Sequence, residues 1–418
     1  MPMKPAPAIP VIISQHAEEA AFQWLLRSGA IHAPHYSLSD LAKLDGIVEA
    51  HLDGLRIAGE VGWETCRTEL AWQEPGELFT AAALAFDSGL PQRIEPVLAV
   101  ALASTEAAPG LASALGWLLP QQAQSHITGL LQSDEPLLRR LGLSAAALHR
   151  RDPDPVLTAA LQADDEIVTP RALRAAGELG RRDLLPQCQA HLNSDHPETR
   201  FWAAWAATLL GDTQAAGTLS GLATQPGCRA EQACLTAARG MPPIQALQWQ
   251  KQLAASGEHR RLAIRAAGAA GDPVLVPWLI EAMADDEHAR PAGEAFSFIT
   301  GLDLAYLDLE RDQPEDFEAG PNEDPADENV EPDRDGDLPW PDPVLIAGWW
   351  ATNRKRFKAG RRYLAGEPIA EKHLRSLLLT GLQRQRAAAA LELVLMRPGQ
   401  PLFEVRARGD RQQRLLAD

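Results

Sequence analysis

The sequence predicts an all-α fold, a solenoid of stacked helical hairpins, and three observations carry that prediction. Gly89, Pro120, Arg150, Gly180, Gly211, Gly240, Gly271 and Gly301 fall 29 to 31 residues apart, each after an Ala/Leu-rich stretch. Such a period marks helical pairs that bury their apolar faces only by stacking on neighbours. Ala and Leu dominate where strands would need β-branched residues, and hydrophobic residues make up 45% of the chain, enough for a core. At 418 residues the chain also exceeds what one hydrophobic core sustains, so an array solves the burial problem.

Residues 1–75 read as a non-repeating helical cap. His16, Glu18 and Glu19 interrupt the short apolar run Val11-Ile12-Ile13, so no signal peptide is expected, and no stretch approaches the ~20 apolar residues that span a bilayer. From Ser37 to Gly59 one amphipathic helix is predicted, capped by Ser39 or Asp40, with Leu41, Leu44, Val48, Leu52 and Leu55 on one face. Further helices are expected over Glu64 to Trp72 and Gly76 to Phe86.

Residues 76–308 hold the repeats. Leu141 to Leu148 turns at Arg150 into Pro155 to Leu161, Arg171 to Gly177 turns at Gly180 into Leu184 to Cys188, and Ile264 to Ala270 turns at Gly271 into Val274 to Ile280. Small residues let the first helix of each pair approach its neighbour, and Gly supplies the left-handed cap that other residues resist. Pro186 and Pro277 fit only near the first turn of a helix. The second helices would line the concave surface, with Gln187, Gln214, Gln248 and Lys251 as polar contacts.

Residues 309–343 read as a disordered acidic loop: Glu310 to Asp342 holds 14 acidic residues against Arg311 and Arg334, with six prolines. Outside that run the formal charge of −17 shrinks to −5, which argues against a sequence-independent grip on nucleic acid phosphates. Asp333, Asp335 and Asp337 alternate like the start of a calcium loop, but Gly336 stands at the fourth place rather than the sixth and Val344 at the twelfth. Residues 344–418 read as a helical C-terminal cap, with helices over Leu345 to Phe357 and within Ala370 to Met396, then a polar tail.

Candidate chemistry is sparse. Cys66, Cys188, Cys228 and Cys234 lack CxxC spacing, which disfavours zinc and fits a reducing cytoplasm. Glu49, His51 and Asp53 alternate by two, which on a helix points them apart, and His32 with His35 lacks a third ligand. No phosphate-binding loop, dinucleotide fingerprint or nucleophile elbow is present, so neither a catalytic set nor a cofactor is expected. The tryptophans Trp202, Trp205 and Trp278 are expected in the core.

The strongest candidate surface is 340–366, with Trp340, Trp349 and Trp350, the cations Arg354, Lys355, Arg356, Lys358, Arg361 and Arg362, and the aromatics Phe357 and Tyr363. Three readings stand: pairing with the preceding acidic run, which its charge favours, binding a protein partner, and gripping nucleic acid.

The ~30-residue helical pairs resemble HEAT-type repeats. The whole chain is similar to a bacterial family of such proteins often encoded near type VI secretion genes. That similarity is carried by Leu44-Asp45, Ala50 to Leu55, Gly62-Trp63, Gly76 to Phe79, Phe298 to Leu304, Leu338 to Asp342, Trp349-Trp350 with Asn353, Arg362 to Gly366, Arg386 to Leu393 and Pro401 to Phe403. The resemblance implies a cytoplasmic accessory of that apparatus or its effectors; it implies no known activity and carries no catalytic residue onto these positions. Bilin lyases and DNA alkylation-repair glycosylases also use HEAT-like folds, but neither active-site pattern can be placed here. Expected function is therefore a protein-binding scaffold or adaptor. The alternatives are an enzyme or nucleic-acid processor centred on the Trp/Arg-rich segment, and an immunity-type binder of one toxin.

Overall fold

The computed structural model describes residues 9–163, 165–227, 229–321 and 331–417. Cys228 and the middle of the acidic run, 322–330, lie outside the described residues. The fold is all-α, built of HEAT-like helical hairpins, with one short β-hairpin among the described residues. Chain contacts divide it into two units, Met1–Trp202 with Gln400–Asp418, and Ala203–Gly399. This division differs from the four-part reading, because the chain end belongs with the N-terminal unit.

In the first unit the helices are α1 (Pro10–Ala30), α2 (Leu38–Ala58), α3 (Glu60–Glu69), α4 (Pro75–Ser88), α5 (Pro91–Ala103), α6 (Ala108–Trp117), α7 (Pro120–Leu131), α8 (Pro136–Leu148), α9 (Val156–Ala160), α10 (Thr169–Leu179) and α11 (Leu185–Ala190); the unit boundary falls inside α12 (Pro197–Leu209). Many of the prolines start helices, as Pro10, Pro75, Pro91, Pro120 and Pro136 do, where the missing N–H has no intrahelical acceptor anyway. α4 and α10 end on Gly89 and Gly180 in the left-handed conformation that the repeat predicts. α2 is capped by Ser37 rather than by Ser39 or Asp40, and Asp40 closes a capping box with it.

First helices form the buried row, α4 on α6, α6 on α8 and α8 on α10. Leu78 to Phe86 is buried throughout, and Phe79 sits between Trp24, stacked at 5.0 Å, and Trp117, edge-on at 5.3 Å. Burying one such aromatic stabilises the fold by roughly 2–3 kcal/mol. α1 packs on α2 and α4 through Ile13, Ala17, Ala20, Ala21 and Trp24.

Residues 400–418, with α22 (Gly409–Ala417), return to this unit as a strap along its turn edge. The Leu402 N–H donates to the Glu178 carbonyl at 2.9 Å, Arg150 donates to the Leu402 carbonyl at 2.6 Å, and Arg411 donates to the Leu118 carbonyl at 2.8 Å. Gly409 N–H donates to Asp45 at 2.5 Å, and Arg27, itself paired with Asp45 at 2.7 Å, donates to the carbonyls of Arg406 and Ala407. Burial alone would raise the carboxyl of Glu178, but the guanidinium groups of Arg171, Arg174, Arg406 and Arg150 hold it far below the usual range. Glu404 is brought to about 2 in the same way, against burial, by Arg406 and Arg150. The polar tail expected as part of an end cap is instead a charged strap, because these buried charges require counterparts.

The second unit contains α13 (Ala215–Ala223), α14 (Ala230–Gly240), α15 (Pro243–Ala254), α16 (Arg260–Ala270), α17 (Val276–Ala282), α18 (Asp286–Thr300), α19 (Pro343–Asn353), α20 (Glu371–Thr380) and α21 (Gln383–Met396). α14 packs on α16 and α16 on α18, continuing the first-helix pattern within this unit, while α21 packs on α14. β1 (Tyr363–Leu364) and β2 (Glu367–Pro368) pair across Ala365 and Gly366, whose φ values of 49° and 86° close a tight antiparallel turn. This hairpin lies on the turn edge: Tyr363 N–H donates to the Gly271 carbonyl at 2.8 Å and Ala365 N–H to that of Phe298 at 2.6 Å. Gly271 has φ 70°, and a Cβ there would sit 2.4 Å from the Tyr363 carbonyl oxygen, so both cap and docking require glycine.

The described ends of the acidic run are packed rather than disordered. Arg311 N–H donates to the Trp340 carbonyl and Asp342 N–H to that of Leu309, while Leu309, Leu338 and Trp340 are buried. Asp333 pairs with Arg290 at 2.7 Å, and Asp335 accepts from both Nη atoms of Arg261 at 2.6 and 2.8 Å. Carboxylates distributed among guanidinium groups on α16 and α18 anchor a segment that composition alone reads as solvated.

Candidate functional site

Asp342 caps α19 by accepting from Val344 and Leu345 N–H at 2.8 and 3.0 Å, so the helix begins where the acidic run ends. Trp349 packs edge-on against Phe296 at 5.9 Å and Phe357 edge-on against Tyr363 at 5.2 Å, while Trp350 lies tilted against Phe357 at 5.4 Å. The Tyr363 hydroxyl accepts from Lys358 N–H at 2.9 Å, and Asp272 accepts from Gly360 N–H at 3.0 Å. The backbone from 357 to 363 is therefore pinned at several points to its own aromatic cluster and to the α16 turn.

On this frame the candidate residues separate into two groups. Trp340 is 8% exposed and lies under the guanidinium groups of Arg290, at 4.7 Å, and Arg311, at 5.8 Å. Tyr363 is buried, and Trp349 and Trp350 are half-buried. Arg362 turns inward, with Nη1 and Nη2 on the two Glu392 oxygens at 3.1 and 2.5 Å and Nε on the Ala270 carbonyl at 3.1 Å. Arg354, Lys355, Arg356, Lys358 and Arg361 are instead exposed and make no ion pair among the described residues. The expected pairing of this run with the acidic segment is corrected for the described residues: Asp333 and Asp335 are taken by Arg290 and Arg261, and Arg362 by Glu392.

What remains is five cations within eight positions on a rigid backbone. A surface already ordered loses little conformational entropy on binding. The arrangement can attract carboxylates or phosphates at long range, with its backbone already held in place.

Beside the run, in the same unit, lies a cleft of about 440 Å³ lined by Arg239, Arg361, Arg362, Glu392 and Asp212 among others. Arg239 and Glu392 escaped sequence reasoning, although an acidic residue in the otherwise apolar helix around Leu391 to Leu395 is a legible signal for a buried partner.

Elsewhere the groups considered do not converge. His16 and His51 approach at 3.1 Å, and burial, then the charge of His16, lowers the His51 value. Glu49 turns away to Arg56, Arg408 and Trp117. No group of three or more His, Cys, Asp or Glu among the described residues could hold a metal ion. Cys66, Cys188 and Cys234 are buried free thiols, and burial pushes the latter two up to about 12. Gln214, Gln248 and Lys251 are exposed on or beside α13 and α15, whereas Gln187 on α11 keeps a buried Oε1 that has no partner among the described residues. Trp202 and Trp205 are buried as expected, and Trp278 packs against the core.

Compared with known protein families, residues 153–239 match HEAT repeats. Repeats of this kind commonly mediate protein–protein interaction. A search among curated proteins finds no match. No helix among the described residues is long and apolar enough to cross a membrane.

Proposed function

We propose that the chain is a non-enzymatic protein-binding adaptor, and that the run Arg354, Lys355, Arg356, Lys358 and Arg361 docks an acidic surface of its partner. The observation that carries this reading is that those five cations are exposed and make no ion pair among the described residues, in a chain of formal charge −17 and on a backbone held by buried aromatic contacts. Elsewhere in the unit, guanidinium groups such as Arg261, Arg265 and Arg290 are neutralised by neighbouring carboxylates. Nucleic acid fits less well. The aromatic rings that would stack on bases, Trp349, Trp350 and Phe357, are engaged with one another and with Phe296. The resemblance to a family encoded near type VI secretion genes directs the search for the partner to a component or effector of that apparatus.

The test is a photo-cross-linking residue placed at Lys355 and, as control, at exposed Arg67 on α3, in native cells. A single partner should cross-link at 355 alone, and the triple change Arg354→Glu, Lys355→Glu, Arg356→Glu should weaken its co-purification at least about tenfold. Binding should also decline with salt, since exposed charges are screened beyond ~8 Å at physiological ionic strength. Equal labelling at both positions, with co-purification untouched by charge reversal, would remove the proposal.

A further inference from the structure

Arg239, near the C-terminal end of α14, is 6% exposed and lines the cleft. It donates one Nη1 hydrogen bond to the Leu235 carbonyl at 3.1 Å, and its Nε stands 3.5 Å from Glu392. Both Glu392 oxygens are already held by Arg362. Nη2 of Arg239 has no acceptor among the described residues. Nη2 is not among the side-chain atoms buried without a partner, so it opens onto the cleft with a donor left to give to a ligand there. Burial, above all, lowers the Arg239 value to about 10, with Glu392 opposing and the charges of Arg362 and Arg265 adding to the fall, as expected for a cation short of counter-charge.

We propose that this cleft binds a monocarboxylate with a short apolar body, either a free acid or the terminal residue of a peptide. Three lining cations, Arg239, Arg361 and Arg362, face two carboxylates, Asp212 and Glu392, which leaves one positive charge over. A monoanion neutralises it, whereas a phosphate dianion would leave net negative charge beside Glu392. Arg239 is the buried cation of the lining and Arg361, exposed and without an ion pair among the described residues, the open one, so a carboxylate can be met by both. Ile369, Leu395 and Met396 supply an apolar wall in the same cleft. About 440 Å³ admits a residue-sized ligand, and pockets of this composition use few polar groups to fix orientation and apolar walls for affinity.

The inference goes beyond the adaptor reading, and cross-linking at Lys355 can fail while the cleft still binds. Calorimetry on the full chain with N-acetyl-leucine, N-acetyl-leucinamide, 4-methylpentanoate and inorganic phosphate tests it. N-acetyl-leucine is expected to bind at least about tenfold more tightly than its amide. If 4-methylpentanoate matches it the ligand is a free acid, and if it falls well behind the ligand is a peptide terminus. Arg239→Met should abolish binding, but it removes a buried cation and risks the fold, so Arg361→Gln and Met396→Trp carry the test at the surface. The first should weaken binding roughly three- to tenfold and the second should block the apolar wall. Equal binding of acid and amide, no binding up to roughly 10 mM, phosphate binding more tightly than either acid, or affinity unchanged in both surface variants would each overturn the proposal.

Discussion

Glu69, at the end of α3, is a partly buried carboxyl set near two other acids. Burial first, then the charges of Glu18 and Glu77, raises its carboxyl from an ordinary 4.5 to about 7. The folded chain thus holds a proton on Glu69 that the unfolded chain releases between those values. Stability from this group is fully present below about pH 4.5 and is lost as pH rises through about 7. Because the side chain is half-exposed, the full shift overstates the effect, and about 1–2 kcal/mol is expected. Glu69→Gln should therefore raise stability by that amount at pH 8 and leave it unchanged at pH 4.5, read from urea midpoints at the two pH values. Glu404, held at about 2, and Asp40, lowered to about 2 by its hydrogen bonds to Ser37 and Lys43, act in the opposite direction. Their contributions vanish only in acid, below the window that Glu69 controls. An identical Glu69→Gln effect at both pH values would show that the carboxyl is not raised.

The helix contacts turn on small residues, and Gly110 on α6 is the sharpest case. A Cβ there would lie 2.1 Å from the Pro75 carbonyl oxygen and 3.0 Å from the Phe79 nitrogen, so α6 meets the backbone of α4 directly. Gly110→Ala should push the two helices apart and cost roughly 1–3 kcal/mol, whereas Gly129→Ala on α7, with open space around it, should stabilise by about 0.5–1 kcal/mol. Thermal midpoints of the two variants check the contrast. This dependence explains what was legible in the sequence. Ala-rich stretches ending in Gly89, Gly180, Gly271 and Gly301 announced first helices, because close stacking and a left-handed cap demand those residue types. α1 was not legible, since its buried face uses Ala17, Ala20 and Ala21 between Ile13 and Trp24, and Glu18 and Glu19 disguise the period. The β-hairpin and α22 were missed for another reason: they are short and are held by backbone partners distant in sequence. In the candidate surface the cationic run itself could be read. That Arg362 turns inward while Arg361 stays out could not, because Glu392, thirty residues on, decides it.

At the scale of the whole molecule, the chain end carries a dependence that no local pattern shows. Residues 400–418 belong to the N-terminal unit and complete charges buried there. Glu404 and Arg406 join Arg150, Arg171, Arg174 and Glu178 in one network, and Gly409 fits against Ala42, where a Cβ would lie 2.7 Å from the Ala42 Cα. A chain ending at Gly399 would leave Arg150 without the Leu402 carbonyl and Glu404, and Arg27 without the carbonyls of Arg406 and Ala407. Stripping partners from buried guanidinium groups costs about 3–5 kcal/mol for each broken pair, a large share of the ~5–15 kcal/mol that separates folded from unfolded domains. The truncated chain should lose hydrogen-exchange protection around α2, α6, the turn after α8, and α10, where Asp45, Gly116, Arg150 and Glu178 meet the strap. Protection of α16 and α18, whose turn edge is covered by the hairpin at 363–368, should stay as it is in the full chain. If both sets lost protection equally, the two units would unfold as one and the strap would not be specific to the first. If neither did, the buried arginines would be satisfied by the repeats alone.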